Sequence, residues 1–266
     1  MIRQTAVAGQ FYPADRDEIE RMFAHFNRVL EEHIRDKKML ETATNAVIVP
    51  HAGYVYSGFT ANVAHRLLGN GGARRIVVIG PSHRVYLSGS SVGGFEAYET
   101  PLGELGGDPE LAREIAEKFS MGFVPQAHAE HSTEVQFPFI KHYLPDSRIV
   151  EIVYGDENPA RLAQVIAWLL SQEDTGVVIS TDLSHYYDIK KANRLDSICL
   201  EAVSTLDAAR LHTGCEACGK IGVEGMLLAA KEVGLEPLVL DYRTSADATG
   251  DESQVVGYMS AAFIQT

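Results

Sequence analysis

From residue 46 onward, short runs of β-branched and aliphatic residues alternate with longer stretches of helical periodicity. No other feature constrains the fold as strongly, because strands joined through helices pair in parallel and need cover on both faces. The expectation is an α/β fold with a central, mostly parallel (mixed) sheet flanked by helices. Strands are expected at 46–49, 75–79, 90–92, 148–153, 177–180, 237–241 and 256–263, and helices at 59–68, 109–119, 133–143, 159–170, 190–205 and 221–233. Ahead of them, Asp15 with Glu18 three residues later reads as a capped helix start, and Ile19, Met22, Phe23, Phe26, Leu30 and Ile34 share one apolar face. Asp108-Pro109 is a second helix start, and Pro138 should bend or split the helix that contains it. No repeat or linker interrupts the chain, so a single domain over 1–266 is expected.

Charge narrows the function classes. With 36 acidic and 23 basic side chains the net charge is −13, which argues against nucleic acid and against an anionic membrane surface, since both are bound through clustered Lys and Arg. The chain has no apolar run of membrane-spanning length, and its first residues lack the charged and apolar blocks of a signal peptide, so a cytoplasmic protein is expected. Three cysteines cannot form a disulfide framework and leave at least one thiol free, which fits a reducing compartment.

Ligands of open α/β sheets bind beyond the carboxyl ends of the strands. Three such exits carry histidine: Pro50-His51-Ala52-Gly53-Tyr54, Gly80-Pro81-Ser82-His83 and Thr181-Asp182-Leu183-Ser184-His185. One histidine there is unremarkable, but three in the same topological position point to a metal or acid/base site. Asp182 is placed to accept the second N–H of an imidazole or to bind substrate. Cys215-Glu216-Ala217-Cys218 precedes the last predicted helix; with only Cys199 left over, a four-cysteine zinc site is excluded, and Cys218 at the helix start is the thiolate expected to join the histidines. Cys199 and Cys215 are expected to be structural, although the Cys-x-x-Cys spacing invites disulfide gating. Glu130-His131-Ser132-Thr133-Glu134 is a further polar cluster, in which Ser132 suits a helix cap and His131 and Glu134 suit a site. Tyr54, Tyr56, Tyr186 and Tyr187 flank the histidine motifs, and Tyr54 and Tyr186 are taken as pocket candidates.

Taken in order, these motifs, with Gly9-Gln10-Phe11-Tyr12-Pro13 at the start and Cys218-Gly219-Lys220 near the end, resemble the Memo family, whose prokaryotic members are also called AmmeMemoRadiSam system protein B. The resemblance implies a fold like that of class III extradiol dioxygenases. It also implies metal ligands at His51, His83 and Cys218, an acid/base role for His185 and an active-site role for Asp182. Fe(II) or copper is the implied ion, with Zn as an alternative, together with redox activity and a functional link to a radical-SAM protein. A thiolate in place of the carboxylate that holds Fe(II) in extradiol dioxygenases blocks transfer of ring-opening activity along with the fold. Three functions therefore compete: a metal-dependent redox or oxygenase-like enzyme acting on a small molecule, a peptide- or protein-binding module using the same cleft, and a zinc-dependent hydrolase.

Overall fold

The computed structural model describes residues 1–34 and 36–265; Arg35 and Thr266, within the span expected of the domain, lie outside the described residues. The described strands are β1 Ile2–Arg3, β2 Ala46–Val49, β3 Arg75–Pro81, β4 Ser90–Gly93, β5 Ala97–Tyr98, β6 Leu105–Gly107, β7 Arg148–Tyr154, β8 Thr175–Ser180, β9 His185–Tyr187, β10 Leu235–Thr244 and β11 Val255–Gln265. The helices are α1 Arg16–His33, α2 Tyr54–Gly71, α3 Pro109–Phe119, α4 His131–Glu134, α5 Phe137–Tyr143, α6 Pro159–Leu170, α7 Ile189–Ser204, α8 Lys220–Val233 and α9 Ala246–Thr249.

All described strands join one mixed sheet, ordered β1-β5-β6-β7-β3-β8-β2-β11-β10, with β4 paired to β7 and β9 to β11. From β6 to β2 the pairings along this path are parallel, whereas β11 runs antiparallel to both β2 and β10. The pleat assigns successive residues to opposite cores. Val77, Ile79, Val177 and Ile179 pack with α3, α6, α7 and α8, while Ile76, Val78 and Val178 pack with α2 and α5. Fully apolar four-residue strands such as β2 are thereby accounted for, because helices cover both faces.

The two expected caps form: Asp15 accepts from Glu18 N and Asp108 from Leu111 N. Three spans differ from expectation. The helix predicted at 59–68 begins earlier, at Tyr54, immediately behind the His51 motif. The one predicted at 133–143 is two helices, because Pro138 cannot donate to the preceding turn and instead occupies the first turn of α5. Strand β10 extends well beyond the predicted 237–241 because β11 pairs with it over nearly its whole length.

The cysteine pairing also differs. Cys199 in α7 is bonded to Cys215, and Cys218 is free, so the bond that closes is not Cys215 with Cys218. It ties the loop leading to Cys218 back onto α7 across a sequence separation of 16 residues. Closing a loop of this length is worth about 3 kcal/mol. Cys199→Ala/Cys215→Ala is therefore expected to lower stability by about that amount, and wild type under strong reductant should fall to the same level. Coincident urea transitions of the double variant and oxidised wild type would refute this.

Candidate metal centre

Strands β3, β8 and β2 are consecutive neighbours, so the three histidine-bearing exits meet at one edge of the sheet. The His51 and His83 rings lie 5.2 Å apart between centroids. The third ring beside them is His131, 4.6 Å from His83 and 5.4 Å from His51. One donor atom from each of these three imidazoles lies within 4.8 Å of the others. His131 arrives from α4, which packs against β3; Gly80 permits that approach, since a Cβ there would meet Ser132 Oγ at 2.7 Å.

His51 is buried and its tautomer follows from its neighbours. The Ser180 hydroxyl donates its only proton to the Ser132 carbonyl, so it accepts from His51 Nδ1–H at 2.9 Å and from Gln136 Nε2 at 3.0 Å. Nε2 is thereby left as the unprotonated nitrogen, a lone pair facing the Cys218 thiol. Burial, reinforced by the facing His83 and His131, holds the imidazole well below its ordinary pKa and keeps it neutral. Cys218 Sγ lies 3.3 Å from that Nε2. The cysteine is held against the β8 exit by Asp182 N, which donates to Sγ, and by its own N–H to Asp182 O at 3.2 Å. Gly219 N donates to Thr181 Oγ1, and a Cβ on Gly219 would lie 2.6 Å from Thr181 Cβ, so only glycine fits beside the thiol. Burial first, and then Asp182, push the thiol up to about 12.

Glu130 connects the other two rings. Its buried carboxylate accepts from His83 N at 2.7 Å, His131 N at 2.9 Å and Ser132 N at 3.2 Å, and it contacts His83 Nδ1 at 3.3 Å. His131 Nδ1 is 2.8 Å from Glu130 Oε1 but off the line of an aligned hydrogen bond, so this buried nitrogen has no partner in the usual sense. Burial would raise the Glu130 carboxyl, but the bonds from His131 and His83 outweigh it and hold the group ionised.

A cavity of about 370 Å³ opens beside the imidazoles, lined by His51, His131, Asp182 and His185 together with Gln10, Phe11, Tyr56, Tyr186 and Tyr258. Its lining includes no Lys or Arg. Asp182 Oδ1 accepts from His51 N at 2.7 Å, and burial raises its carboxyl against the opposing pull of that bond and of His185. Tyr186 holds a left-handed backbone (φ +62) and turns its ring largely into solvent at the cavity wall, a strained geometry of the kind that collects at ligand sites. A second cavity of about 310 Å³, at the opposite end of β2, is lined by residues such as Thr44, Asn45, Leu170 and Phe263 and contains no ionisable side chain.

Of the residues singled out in the sequence, His51, His83 and His131 bring their donor atoms together, Cys218 stands outside that group of three and reaches it through His51 Nε2, and Asp182, His185 and Tyr186 line the adjoining cavity. Tyr54 does not: its ring packs among Tyr12, Phe23 and Phe139 and its hydroxyl donates to Val135 O. Glu134 does not either, because its buried carboxylate faces away to accept from Ala6 N, Val7 N, Tyr12 Oη and Arg3. His131 and Glu134, at the two ends of the single turn α4, divide between cleft and core because the Glu134 carboxylate is taken up by Arg3 and the amides of the N-terminal segment. Ser180, Tyr258 and the role of Glu130 escaped the sequence reading; Glu130 carried a signal as the carboxylate directly before His131.

The family model for a Memo-like protein matches residues 3–262. The chain is 34% identical to a MEMO1 family protein of Sulfolobus acidocaldarius, covering 99% of both chains. It is 32% identical to one from Aquifex aeolicus, again over 99% of both, and 34% identical to one from Methanothermobacter thermautotrophicus over 97% of this chain and 99% of the other. Among the described residues no helix is long and apolar enough to cross a membrane.

Proposed function

The chain belongs to the Memo-like protein family, and on that premise we propose that it is a metal-dependent protein performing a redox or oxygenase-like reaction on a small molecule. The ion is held by His51, His83 and Cys218, with His131 beside them. The observation that carries this reading is the convergence of three imidazole donors within 4.8 Å at adjacent strand exits, with a thiol 3.3 Å from one of them. The donors suit such an ion: His51, whose Nδ1–H is accepted by Ser180, presents a neutral Nε2. Imidazole serves Fe(II), copper and Zn alike, while the thiol draws the preference towards the softer ions. When bound, the ion supplies Lewis acidity and, if it is iron or copper, a route for electrons.

The chain's own side chains supply the rest. His185 and Asp182 line the cavity and are placed to carry protons between substrate and solvent. The rings of Phe11, Tyr56, Tyr186 and Tyr258 line the cavity and offer apolar contact to a ligand's body. Because no Lys or Arg lines it, a ligand's negative group would be met by the ion rather than by the protein. The link to a radical-SAM protein belongs to the same proposal, as a source or consumer of the small molecule.

Metal analysis after anaerobic purification tests the reading: wild type is expected to retain about one ion per chain and Cys218→Ala to lose it, since a thiolate ligand contributes folding-coupled affinity. A wild type that retains and takes up no iron, copper or zinc would sink it. A peptide-binding module using this cleft predicts instead that ligand binding survives His51→Ala.

A further inference from the structure

Glu130 bears on two of the three imidazoles at once, and its surroundings are unusual for a buried carboxylate. It is fully buried, yet among the described ion pairs its carboxylate meets only His83 and His131, and no Lys or Arg. Arg3 approaches the Glu130 backbone carbonyl and reserves its charge for Glu134 and Glu151. Burying an ion without a fixed counter-charge costs several kcal/mol. Capping is too small a return for this, because α4 is a single turn and a Ser, Asp or Asn would cap it.

Resting on the metal-site reading, we propose that Glu130 is a positioning residue that orients His83 and His131 together, placing the ring proton at Nδ1 on both and leaving both Nε2 atoms free. One carboxylate reaches the two rings because His83 N and His131 N both donate to it, which brings the end of β3 and the start of α4 to the same anchor. Ser180 does the equivalent for His51. All three imidazoles then present the same nitrogen. A neutral hydroxyl suffices for the buried His51 ring, whereas the two more exposed rings share a charged acceptor that holds them against solvent. Hydrogen bonds of this kind fix ring orientation and raise ligand basicity, and their loss costs ten- to a hundredfold in metal affinity.

The test is Co(II) binding by wild type, Glu130→Gln and Glu134→Gln, read by titration and by the d–d absorption of the bound ion. Glu134 lies in the same short helix and makes no hydrogen bond to any of the three rings. Glu130→Gln is expected to weaken binding by about ten- to a hundredfold and to change the d–d spectrum, and Glu134→Gln to remain within about twofold of wild type with an unchanged spectrum. A second measurement needs no variant at Glu130: ¹⁵N–¹H correlation through the ring protons of the metal-free wild type, at a pH where the rings are neutral, should show His83 and His131 protonated at Nδ1, the signals being assigned by their loss in His83→Gln and His131→Gln. Nε2–H tautomers, or Glu130→Gln binding within twofold of wild type, overturns the assignment to Glu130 alone. Absence of Co(II) binding by wild type overturns both this inference and the metal-site reading.

Discussion

Replacing Arg3 by alanine is expected to cost about 3–5 kcal/mol of folding stability at neutral pH, because it leaves buried carboxylates without their cation. The Arg3 guanidinium is buried, pairs with Glu134, and lies 3.6 Å from Glu151. Glu134 also anchors the N-terminal segment through Ala6 N, Val7 N and Tyr12 Oη, and Glu151 accepts from Thr133 and contacts His128 Nδ1 at 2.7 Å. For a chain of this size that loss corresponds to a fall in Tm of roughly 10 °C. The pH dependence has a definite sign. Burial alone would raise the Glu151 carboxyl, but Arg3, His128 and Thr133 outweigh it and hold the group below its usual 4.5. Its contribution is therefore complete above that value and is lost as pH falls through the lower folded value. The gap between wild type and Arg3→Ala should be widest at neutral pH and close in acid. Urea unfolding at several pH values measures both, and equal stabilities at pH 7 would remove the argument.

His51→Ala is expected to lower affinity for Co(II) by more than about a hundredfold, beyond what loss of a supporting hydrogen bond does, because it deletes a proposed ligand itself. His51 is the imidazole that faces Cys218, and the one whose backbone N–H is fixed by Asp182 and whose ring is fixed by Ser180. Equilibrium dialysis against the metal gives the comparison, with far-ultraviolet circular dichroism to establish that the sheet is intact. A variant binding within tenfold of wild type would show that the ion sits elsewhere.

The strands that position the site were readable because they are buried on both faces and so consist of unbroken apolar runs, as in Ile76-Val77-Val78-Ile79. Strands β1, β5, β6 and β9 were not readable. Two or three residues have no periodicity, and what makes them strands is the partner beside them. The same contrast holds in the site. His51, His83 and His185 announce themselves by following strands, whereas His131 is placed by a helix whose packing on β3 depends on Gly80 having no side chain. Tyr54 and Tyr56 are two positions apart in a helix and so face differently, which sends Tyr54 into the core and leaves Tyr56 at the cavity. The pairing of Cys199 with Cys215 carries no local signature, since it depends on how α7 folds back against a loop.

The adjacency of β3, β8 and β2 also has a kinetic side. Asp182 meets His51 across 131 residues of chain, and Cys218 meets His51 across 167. Closing segments of such separation carries a loop-closure entropy that packing along the central strands must offset. A partly folded chain offers only scattered imidazoles, which hold an ion weakly. An ion that fits only the finished centre would favour the native state over the unfolded one, and its expected kinetic mark is slower unfolding of the completed sheet.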